Sequence, residues 1–281
     1  MNLILQSSNI ETGDLKSIAK LSTASAIEQI SSVAFRLTQA QPHPAIAPLC
    51  EEQKLDWAFV PEARRLKDFK LLVMDMDSTL ITIETIDELA DWVGLKSEVA
   101  AITEQAMRGE IEYNESLRRR VALLKGLKAS ALDEVYRERL KLSPGAEVLL
   151  QAAKKYAIQT LLVSGGFTYI TELLKTRLGL NHTHANTLGV AEGKLTGEIL
   201  GPIVNAQGKR DHLKLVSDQL GIKREAIFGM GDGANDLLFM ADCGVSIAYH
   251  AKPIVRGQTT HALNFNGLDA VLALFNEPPA T

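Results

Sequence analysis

Residues 70–79, KLLVMDMDST, decide the fold of this chain. Within this stretch the apolar residues 71–74 lead into Asp75, and a second acid follows at Asp77. An apolar run without alternation is typical of a strand buried on both faces of a parallel sheet, and α/β proteins place their ligands at the carboxyl ends of such strands. Side chains two apart on a strand point the same way, so this stretch predicts two carboxylates that face one site.

The same pattern recurs along the chain. Three further apolar runs follow, at residues 158–163, 226–230 and 244–248. Predicted helices lie between or beside them, at residues 145–155, 168–178, 210–220 and 236–241. This alternation predicts an α/β fold with a doubly wound parallel sheet. Two more runs, at 185–190 and 194–199, flank Ala191-Glu192-Gly193 and predict a hairpin.

The first 66 residues predict a small α+β module of their own. Strands are expected at residues 2–6, 32–37 and 55–60, and helices at 12–21 and 46–53. Arg64 to Lys67 then reads as a linker. We therefore assign residues 1–66 to this module and residues 67–84 and 143–281 to the α/β core.

Residues 85–142 predict a helical insertion directly after the first site-bearing strand. Leu117, Val121 and Leu124 recur there at helical spacing, which indicates amphipathic helices. An insertion at this point is well placed to act as a lid, so we assign residues 85–142 to a helical cap.

Composition excludes several classes of protein. The chain is 46% apolar and 23% charged, which is typical of a soluble globular protein. Its net charge of −4 and the lack of a long basic run give no indication of nucleic-acid binding. No apolar run reaches the about 20 residues that a membrane helix needs. The N-terminus lacks the features of a signal peptide, and Cys50 and Cys243 are best read as reduced thiols, so we expect a cytoplasmic protein.

A second acidic element follows another predicted strand. Residues 231–236, GDGAND, contain Asp232, Asn235 and Asp236, with glycines that let backbone approach a ligand. Alone, this stretch is equally typical of an ordinary turn. Together with Asp75 and Asp77 it offers enough carboxylates for a hard, oxygen-preferring cation.

Two elements could bind an anion. Ser164-Gly165-Gly166 ends a strand and leads into a helix, which provides a hydroxyl and free N–H groups, although a simple helix cap has the same appearance. Lys209 lies at the start of a predicted helix. It matters only if it reaches the carboxylates, where its charge would stabilise a phosphoryl group in transfer.

These elements, in this order, resemble the haloacid dehalogenase superfamily of phosphotransferases, and within it the phosphoserine phosphatase family. The similar stretches are Asp75–Thr79, Glu84–Glu88, Ser116–Val121, Ser164–Phe167, Gly231–Asp236 and Ala248–Pro253. The resemblance covers residues 70–275 and implies a Rossmann-like core with a helical cap. The N-terminal module is less clearly similar to a reduced ACT-like regulatory domain.

The resemblance implies a set of catalytic roles. Asp75 would be the nucleophile that forms an aspartyl-phosphate, and Asp77 would be the general acid and base. Mg²⁺ would be bound by the Asp75 and Asp232 carboxylates and the Asp77 backbone carbonyl. Ser164 and Lys209 would hold the phosphate.

Supporting roles are implied as well. Gly165 and Gly166 would keep the backbone close to the substrate. Asn235 and Asp236 would support the metal site and orient Lys209, and Asn235 is also counted among the substrate-binding residues.

The cap would recognise the amino acid part of the substrate. The resemblance implies that Glu84 binds the amine, Arg120 binds the carboxylate, and Met107 and Tyr113 close the pocket. The helical spacing of about 100° per residue agrees for Arg120, because it lies at the edge of the apolar stripe and Arg119 lies opposite.

The implied function is Mg²⁺-dependent hydrolysis of O-phosphoserine, the last step of serine biosynthesis. Two alternatives stay open at this point. One is phosphotransfer to another alcohol, such as homoserine. The other is an amino-acid-sensing regulatory protein with an idle catalytic fold. The N-terminal module is also a candidate interface for a homodimer.

Overall fold

The computed structural model describes residues 1–276. Residues 277–281, the end of the range assigned to the core, lie outside the described part. Two sheets organise the chain: a four-stranded antiparallel sheet near the N-terminus, called the small sheet, and a seven-stranded sheet, called the large sheet. No helix among residues 1–276 is long and apolar enough to cross a membrane.

The small sheet has the strand order β2-β3-β1-β4. Its strands and the two helices beside it are Asn2–Gln6 (β1), Thr12–Leu21 (α1), Ala26–Ser31 (β2), Ala34–Thr38 (β3), Ile46–Glu52 (α2) and Asp56–Val60 (β4). The sequence predicted only three strands. The sequence did not predict β2, because this edge strand is exposed along nearly its whole length and therefore has no alternating pattern of buried residues.

The central strand β1 is buried on both faces. Leu3 and Leu5 pack with Ile18 and Cys50 of the helices, whereas Ile4 belongs to the apolar core of the large sheet. This division follows from the alternation of side chains along a strand. The module therefore packs against the rest of the chain, and the predicted linker at residues 64–67 takes part, since its Leu66 is only 3% exposed.

The large sheet has the order β11-β10-β9-β5-β6-β7-β8. Its strands are Leu71–Met74 (β5), Gln159–Phe167 (β6), His182–Ala191 (β7), Lys194–Leu200 (β8), Ile227–Gly231 (β9), Val245–Tyr249 (β10) and His261–Leu263 (β11). Neighbouring strands are parallel except for the β7–β8 hairpin. The predicted parallel sheet and hairpin are thus confirmed, and β11 was missed because three residues carry no readable pattern.

Helices cover both faces of the large sheet. They are Ala146–Lys155 (α7), Thr168–Leu178 (α8), Ala206–Leu220 (α9), Leu237–Ala241 (α10) and Pro253–Arg256 (α11). Leu72 and Met74 of β5 pack into one apolar core, and Leu71 and Val73 pack into another on the opposite face. This is the doubly wound arrangement that the uninterrupted apolar run predicted.

Four helices form the insertion after β5: Thr85–Trp92 (α3), Lys96–Met107 (α4), Tyr113–Leu123 (α5) and Ser130–Glu138 (α6). The predicted stripe of Leu117, Val121 and Leu124 is buried in a core of its own. Ile81 and Leu142, which flank the insertion, form an antiparallel bridge with each other that brings its two ends together after the carboxyl end of β5. The insertion therefore lies over the carboxyl end of β5, where the acidic residues are.

Candidate active site

Asp75 follows β5 at the carboxyl edge of the large sheet, and its backbone N–H donates to Met230 O on β9 at 3.1 Å. The chain then turns sharply, with Ser78 in the left-handed region (φ 54°, ψ 4°). After this turn, Thr85 at the start of α3 donates to Asp77 Oδ1 from its backbone N–H, at 3.2 Å, and from its hydroxyl. The first cap helix therefore fixes the Asp77 carboxylate.

Lys209 is fully buried and joins two carboxylates. Its Nζ lies 2.7 Å from Asp75 Oδ1 and 2.7 Å from Asp236 Oδ1. Asn205 places it there, because its Oδ1 accepts from the Gly208 N–H at 3.0 Å and so caps α9. Burial alone would lower the pKa of Lys209, but the two carboxylates outweigh burial and raise that pKa, so the ammonium stays charged.

Three carboxylates converge beside this lysine. Oxygen atoms of Asp75, Asp232 and Asp236 all lie within 4.8 Å of one another. Asp236 is already engaged, since its Oδ2 accepts from the Gly233 N–H at 3.0 Å and its Oδ1 faces the lysine. Asp232 Oδ1 accepts from the Thr79 hydroxyl at 3.0 Å. The cluster thus has the donor set for a cation, with Asp75 and Asp232 the freer of the three.

The acids of the site hold their protons unusually strongly. Burial and then repulsion from Asp236 raise the pKa of Asp75 well above its ordinary range. Burial, with repulsion from Glu84, raises the pKa of Asp77 to about 8, and burial, with repulsion from Asp236, raises the pKa of Asp232 to about 7. In each case several negative charges share one enclosed space.

The two glycines after Ser164 lie where no side chain would fit. A Cβ on Gly165 would meet the Tyr113 hydroxyl oxygen at 2.3 Å, and one on Gly166 would meet Asp77 Oδ2 at 2.8 Å. The Gly166 N–H donates to Ser164 Oγ at 2.8 Å. Because both positions lack a Cβ, the backbone of this segment can lie close to Tyr113 and Asp77.

Asn186 on β7 supports the glycine segment from below. It is buried, its Nδ2 donates to Gly165 O at 2.8 Å, and its Oδ1 accepts from the Val204 N–H at 2.8 Å. Asn186 was not predicted from the sequence to be a site residue. A polar residue within a predicted strand was the available signal, but its partners lie too far along the chain to be read from local pattern.

Glu84 lies at the entrance to the cap, directly before α3. Its Oε1 accepts from the Ser78 hydroxyl at 2.6 Å. Burial raises the pKa of Glu84, while the Ser78 hydrogen bond and the positive charge of Arg120 act in the opposite direction. Glu84 and Arg120 therefore lie close enough for their opposite charges to interact.

The three consecutive arginines of α5 differ in environment. Arg120 is half-buried, and its Nε lies 3.4 Å from Ser116 O one turn earlier. Arg118 and Arg119 are exposed, and Arg119 pairs with Glu115 at 2.7 Å. Only Arg120 of the three thus has its side chain on the enclosed side of the helix.

The other cap residues separate into two locations. Tyr113 begins α5 with its hydroxyl against the glycine segment, and burial raises its pKa. Met107, at the end of α4, is 64% exposed, and its Sδ lies 3.9 Å from Lys252 Nζ. Asn235 is half-buried in the turn after Gly233. The structure therefore brings Tyr113 to the acids and leaves Met107 on the surface between cap and core.

Two threonines contribute to the site although the sequence did not predict them. Thr79 and Thr85 are both buried, and each donates its hydroxyl to a carboxylate of the site. Thr79 lies in the stretch 75–79 and Thr85 in the stretch 84–88, both of which contain acids predicted to be functional. A hydroxyl next to a functional acid was the signal that could have identified them.

Comparisons with known proteins agree with this geometry. Residues 72–241 match the haloacid dehalogenase-like hydrolase model, and residues 3–46 match a domain of unknown function, DUF4072. A phosphoserine phosphatase of Polaromonas sp. is 53% identical over 215 residues, which cover 75% of this chain and 91% of the relative.

Solved structures give the same picture. A probable phosphoserine phosphatase from Vibrio cholerae, in unliganded form, superposes with a TM-score of 0.86 at 33% identity, covering 98% of this chain and 86% of that chain. A phospho-aspartyl intermediate analogue of phosphoserine phosphatase superposes with a TM-score of 0.68 at 36% identity, covering 73% of this chain and 97% of that one.

Proposed function

Because the chain belongs to the haloacid dehalogenase-like hydrolase family, we propose that it hydrolyses O-phosphoserine to serine and phosphate through a phosphorylated Asp75. The observation that carries the proposal is the buried group of Asp75, Lys209 and Asp236 at a strand end, with Glu84 close enough to interact with the charges of both Lys209 and Arg120. The first group suits phosphoryl transfer, and the second suits a zwitterionic amino acid.

We propose Mg²⁺ as the cofactor. Asp75 and Asp232 would hold the ion with the Asp77 backbone carbonyl, because both oxygens of Asp236 are already engaged. Burial, and then repulsion from Asp236, raise the pKa values of Asp75 and Asp232, and a cation held between these acids would offset that repulsion. When bound, the ion would offset the repulsion between the nucleophile and the phosphate dianion.

In the first step of the proposed reaction, the free oxygen of Asp75 attacks phosphorus while its other oxygen stays on Lys209. The bond from phosphorus to the serine oxygen breaks, and Asp77 gives that oxygen its proton. The pKa of Asp77, raised to about 8 by burial and Glu84, suits a group that must be protonated near neutral pH. The Thr85 hydroxyl holds the Asp77 carboxyl group in place.

In the second step, water attacks the aspartyl-phosphate. Asp77, now ionised, takes the proton from the water, and the bond between phosphorus and the Asp75 oxygen breaks to release phosphate. Asp75 is restored as a carboxylate and Asp77 as an acid, so the cycle closes. The charge of Lys209 favours both steps, because negative charge on the phosphoryl oxygens persists throughout.

Substrate recognition divides between core and cap in this proposal. Ser164 and the N–H groups of the glycine segment hold the phosphate. Glu84 binds the amine and Arg120 the carboxylate, for which its planar fork is suited. Tyr113 closes the pocket beside the acids, Met107 lies at its rim on the surface between cap and core, and Asn235 supports the ligand from the acidic turn.

Phosphate release from phosphoserine, with and without Mg²⁺, tests the proposal against a panel of sugar and glycolytic phosphates. Asp75→Asn should abolish turnover. Arg120→Met should raise KM for phosphoserine but leave KM for p-nitrophenyl phosphate, which has no carboxylate, nearly unchanged. Arg119→Met is the matched control, because that arginine is exposed and paired with Glu115. Substantial turnover by Asp75→Asn, or equal effects of the two arginine variants, would contradict the proposal.

The sequence also predicts where the enzyme acts and how it assembles. We place the enzyme in the cytoplasm at the last step of serine biosynthesis, with a homodimer formed through the N-terminal module. Light scattering on the full chain and on a variant starting near Lys67 tests the dimer. Product analysis with added homoserine separates hydrolysis from transfer.

A further inference from the structure

A buried acid of the N-terminal module binds a loop of the core. Asp56, at the start of β4, is 1% exposed. Its Oδ1 accepts from the Asn264 N–H at 2.5 Å, and its Oδ2 accepts from the N–H groups of Phe265 (3.1 Å) and Asn266 (3.0 Å) and from Asn266 Nδ2 (2.8 Å). Four amide donors on one carboxylate fix the loop of residues 264–266 relative to the module.

That loop in turn holds His250. The His250 ring nitrogen Nε2 lies 2.9 Å from Asn266 O, and the His250 backbone N–H donates to Leu263 O at 2.7 Å. His250 has a φ of 47°, in the left-handed region that non-glycine residues seldom adopt. Such a conformation persists only where surrounding contacts impose it, and these two contacts do so.

A second connection runs from the module to the same place. Arg256 Nε donates to Ala251 O at 2.6 Å, and Arg256 Nη1 lies 3.9 Å from Glu51 Oε1 on α2. Glu51 is 73% exposed, so this ion pair contributes little. The buried carboxylate of Asp56 therefore carries most of the connection.

Residues 250–252, which we call the His250 loop, directly follow β10 at the carboxyl edge of the large sheet, the edge that carries the proposed site. β10 pairs with β9 so that Ala248 lies opposite Gly231, one residue before Asp232. At its other end the loop reaches the cap, where Lys252 Nζ lies 3.9 Å from Met107 Sδ. The His250 loop thus spans from the acidic edge of the sheet to the cap.

We propose that Asp56 is a positioning residue for the reaction. By fixing residues 264–266 it holds the His250 loop against the cap, so that the N-terminal module sets how readily the cap closes over the substrate. This inference rests on the function proposed above, because the closure matters only if the cap encloses phosphoserine. It gives the module a role in substrate binding that requires no regulatory ligand.

Asp56→Asn in the full chain tests the inference, because the amide keeps one acceptor oxygen but turns a donor toward the N–H groups. We expect KM for phosphoserine to rise about five- to tenfold with kcat changed less than about twofold, since a loosened loop weakens binding before chemistry. Hydrogen exchange at the His250 amide should speed up about tenfold, because its acceptor Leu263 O directly precedes the released segment of residues 264–266.

Asn276→Ala is the matched control. Asn276 is also buried, and its hydrogen bonds go to other partners than residues 264–266: it donates to Pro61 O at 2.7 Å and accepts from Asn2 Nδ2 at 3.1 Å. It should lower the melting temperature without changing KM or exchange at His250. An equal rise in KM in Asn276→Ala would mean that loss of stability alone explains the effect, and would overturn the inference.

His250→Asn gives a second arm that leaves the module's own contacts intact. Asn tolerates a left-handed backbone but is too short to reach Asn266 O. KM should rise as in Asp56→Asn, and the double variant should be no worse than either single one, because both break one path. If Asp56→Asn folds and leaves both KM for phosphoserine and hydrogen exchange at the His250 amide unchanged, the inference is overturned. If Asp56→Asn does not fold, the same result in His250→Asn overturns it. If the wild-type protein did not act on phosphoserine, the exchange result would still judge the loop connection separately.

Discussion

Replacing Lys209 by methionine tests whether its ammonium group holds the carboxylate cluster together. Methionine is unbranched and flexible, so it keeps most of the packing, but it removes both 2.7 Å ion pairs. Removing one partner of a buried pair costs about 3–5 kcal/mol, because the remaining charges stay buried without compensation. We therefore expect the free energy of unfolding to fall by about 3–5 kcal/mol near neutral pH without Mg²⁺.

The neighbouring Arg210 provides the control on the same helix. It pairs with Asp242 at 2.6 Å, but the two side chains are 33% and 24% exposed. Loss of such an exposed pair costs about 0–1 kcal/mol. Arg210→Met should thus be nearly neutral, although it removes the same kind of charge one residue away.

The pH dependence of the Lys209→Met deficit has a definite sign. Without the lysine, less opposes the upward shift of the pKa of Asp75 that burial and Asp236 cause. The folded state then binds a proton that the unfolded state releases above about pH 3.9. The deficit should therefore be largest near neutral pH and shrink as the pH falls toward that value.

Urea unfolding followed by circular dichroism, in EDTA, measures these differences for the wild type and both variants. The double variant Lys209→Met, Asp236→Leu should recover part of the loss, because it removes a buried charge that has lost its ion-pair partner. The reasoning would be refuted if Lys209→Met lost no more stability than Arg210→Met, or if its deficit grew as the pH was lowered.

Three other predictions follow from particular contacts. Gly165→Ala should lower kcat/KM by about 10–100-fold, since its Cβ would lie 2.3 Å from the Tyr113 hydroxyl oxygen; adding Tyr113→Phe should restore most of the activity, and a lack of rescue would refute the clash. Burial, with the nearby Arg64, lowers the pKa of His261 to about 3, so the free energy of unfolding should fall by up to about 1.4 kcal/mol per pH unit as the pH drops below about 6.5, where the unfolded state takes up a proton that the folded state does not. His261→Gln should remove this pH dependence from unfolding measurements, and the same slope in wild type and variant would contradict the prediction. Mg²⁺ at about 100 times its Kd should stabilise the wild type by about 2.7 kcal/mol in calorimetry, and Asp232→Asn should lose this gain; equal stabilisation of both would exclude Asp232 as a ligand.

Much of the large sheet could be predicted because its signals are local. The apolar run before Asp75 has no polar face, and a strand of that kind has to be covered on both sides. The observed packing of Leu72 and Leu71 into separate cores is the direct consequence. By contrast, β2 is held by hydrogen bonds to β3 and buries almost nothing, so its sequence did not distinguish it from a loop.

Parts of the site could be predicted for a related reason. Parallel strands present their carboxyl ends at one edge, so acids that follow β5 and β9 had to lie near each other once the sheet order was given. The pairing of Lys209 with both Asp75 and Asp236 was conditional in the sequence, because a lysine at a helix start is usually exposed. The placement of α9 decided it.

The amino-acid sequence by itself determined the class of fold, the strand ends that carry acids and the helical insertion, because each of these depends on residues near one another in the chain. Tertiary structure alone decided how Asn186 supports the glycine segment and how Asp56 holds a loop 208 residues away. Such contacts depend on how whole elements pack together, and the sequence around a polar residue in a strand does not identify the distant backbone amide with which it will form a hydrogen bond.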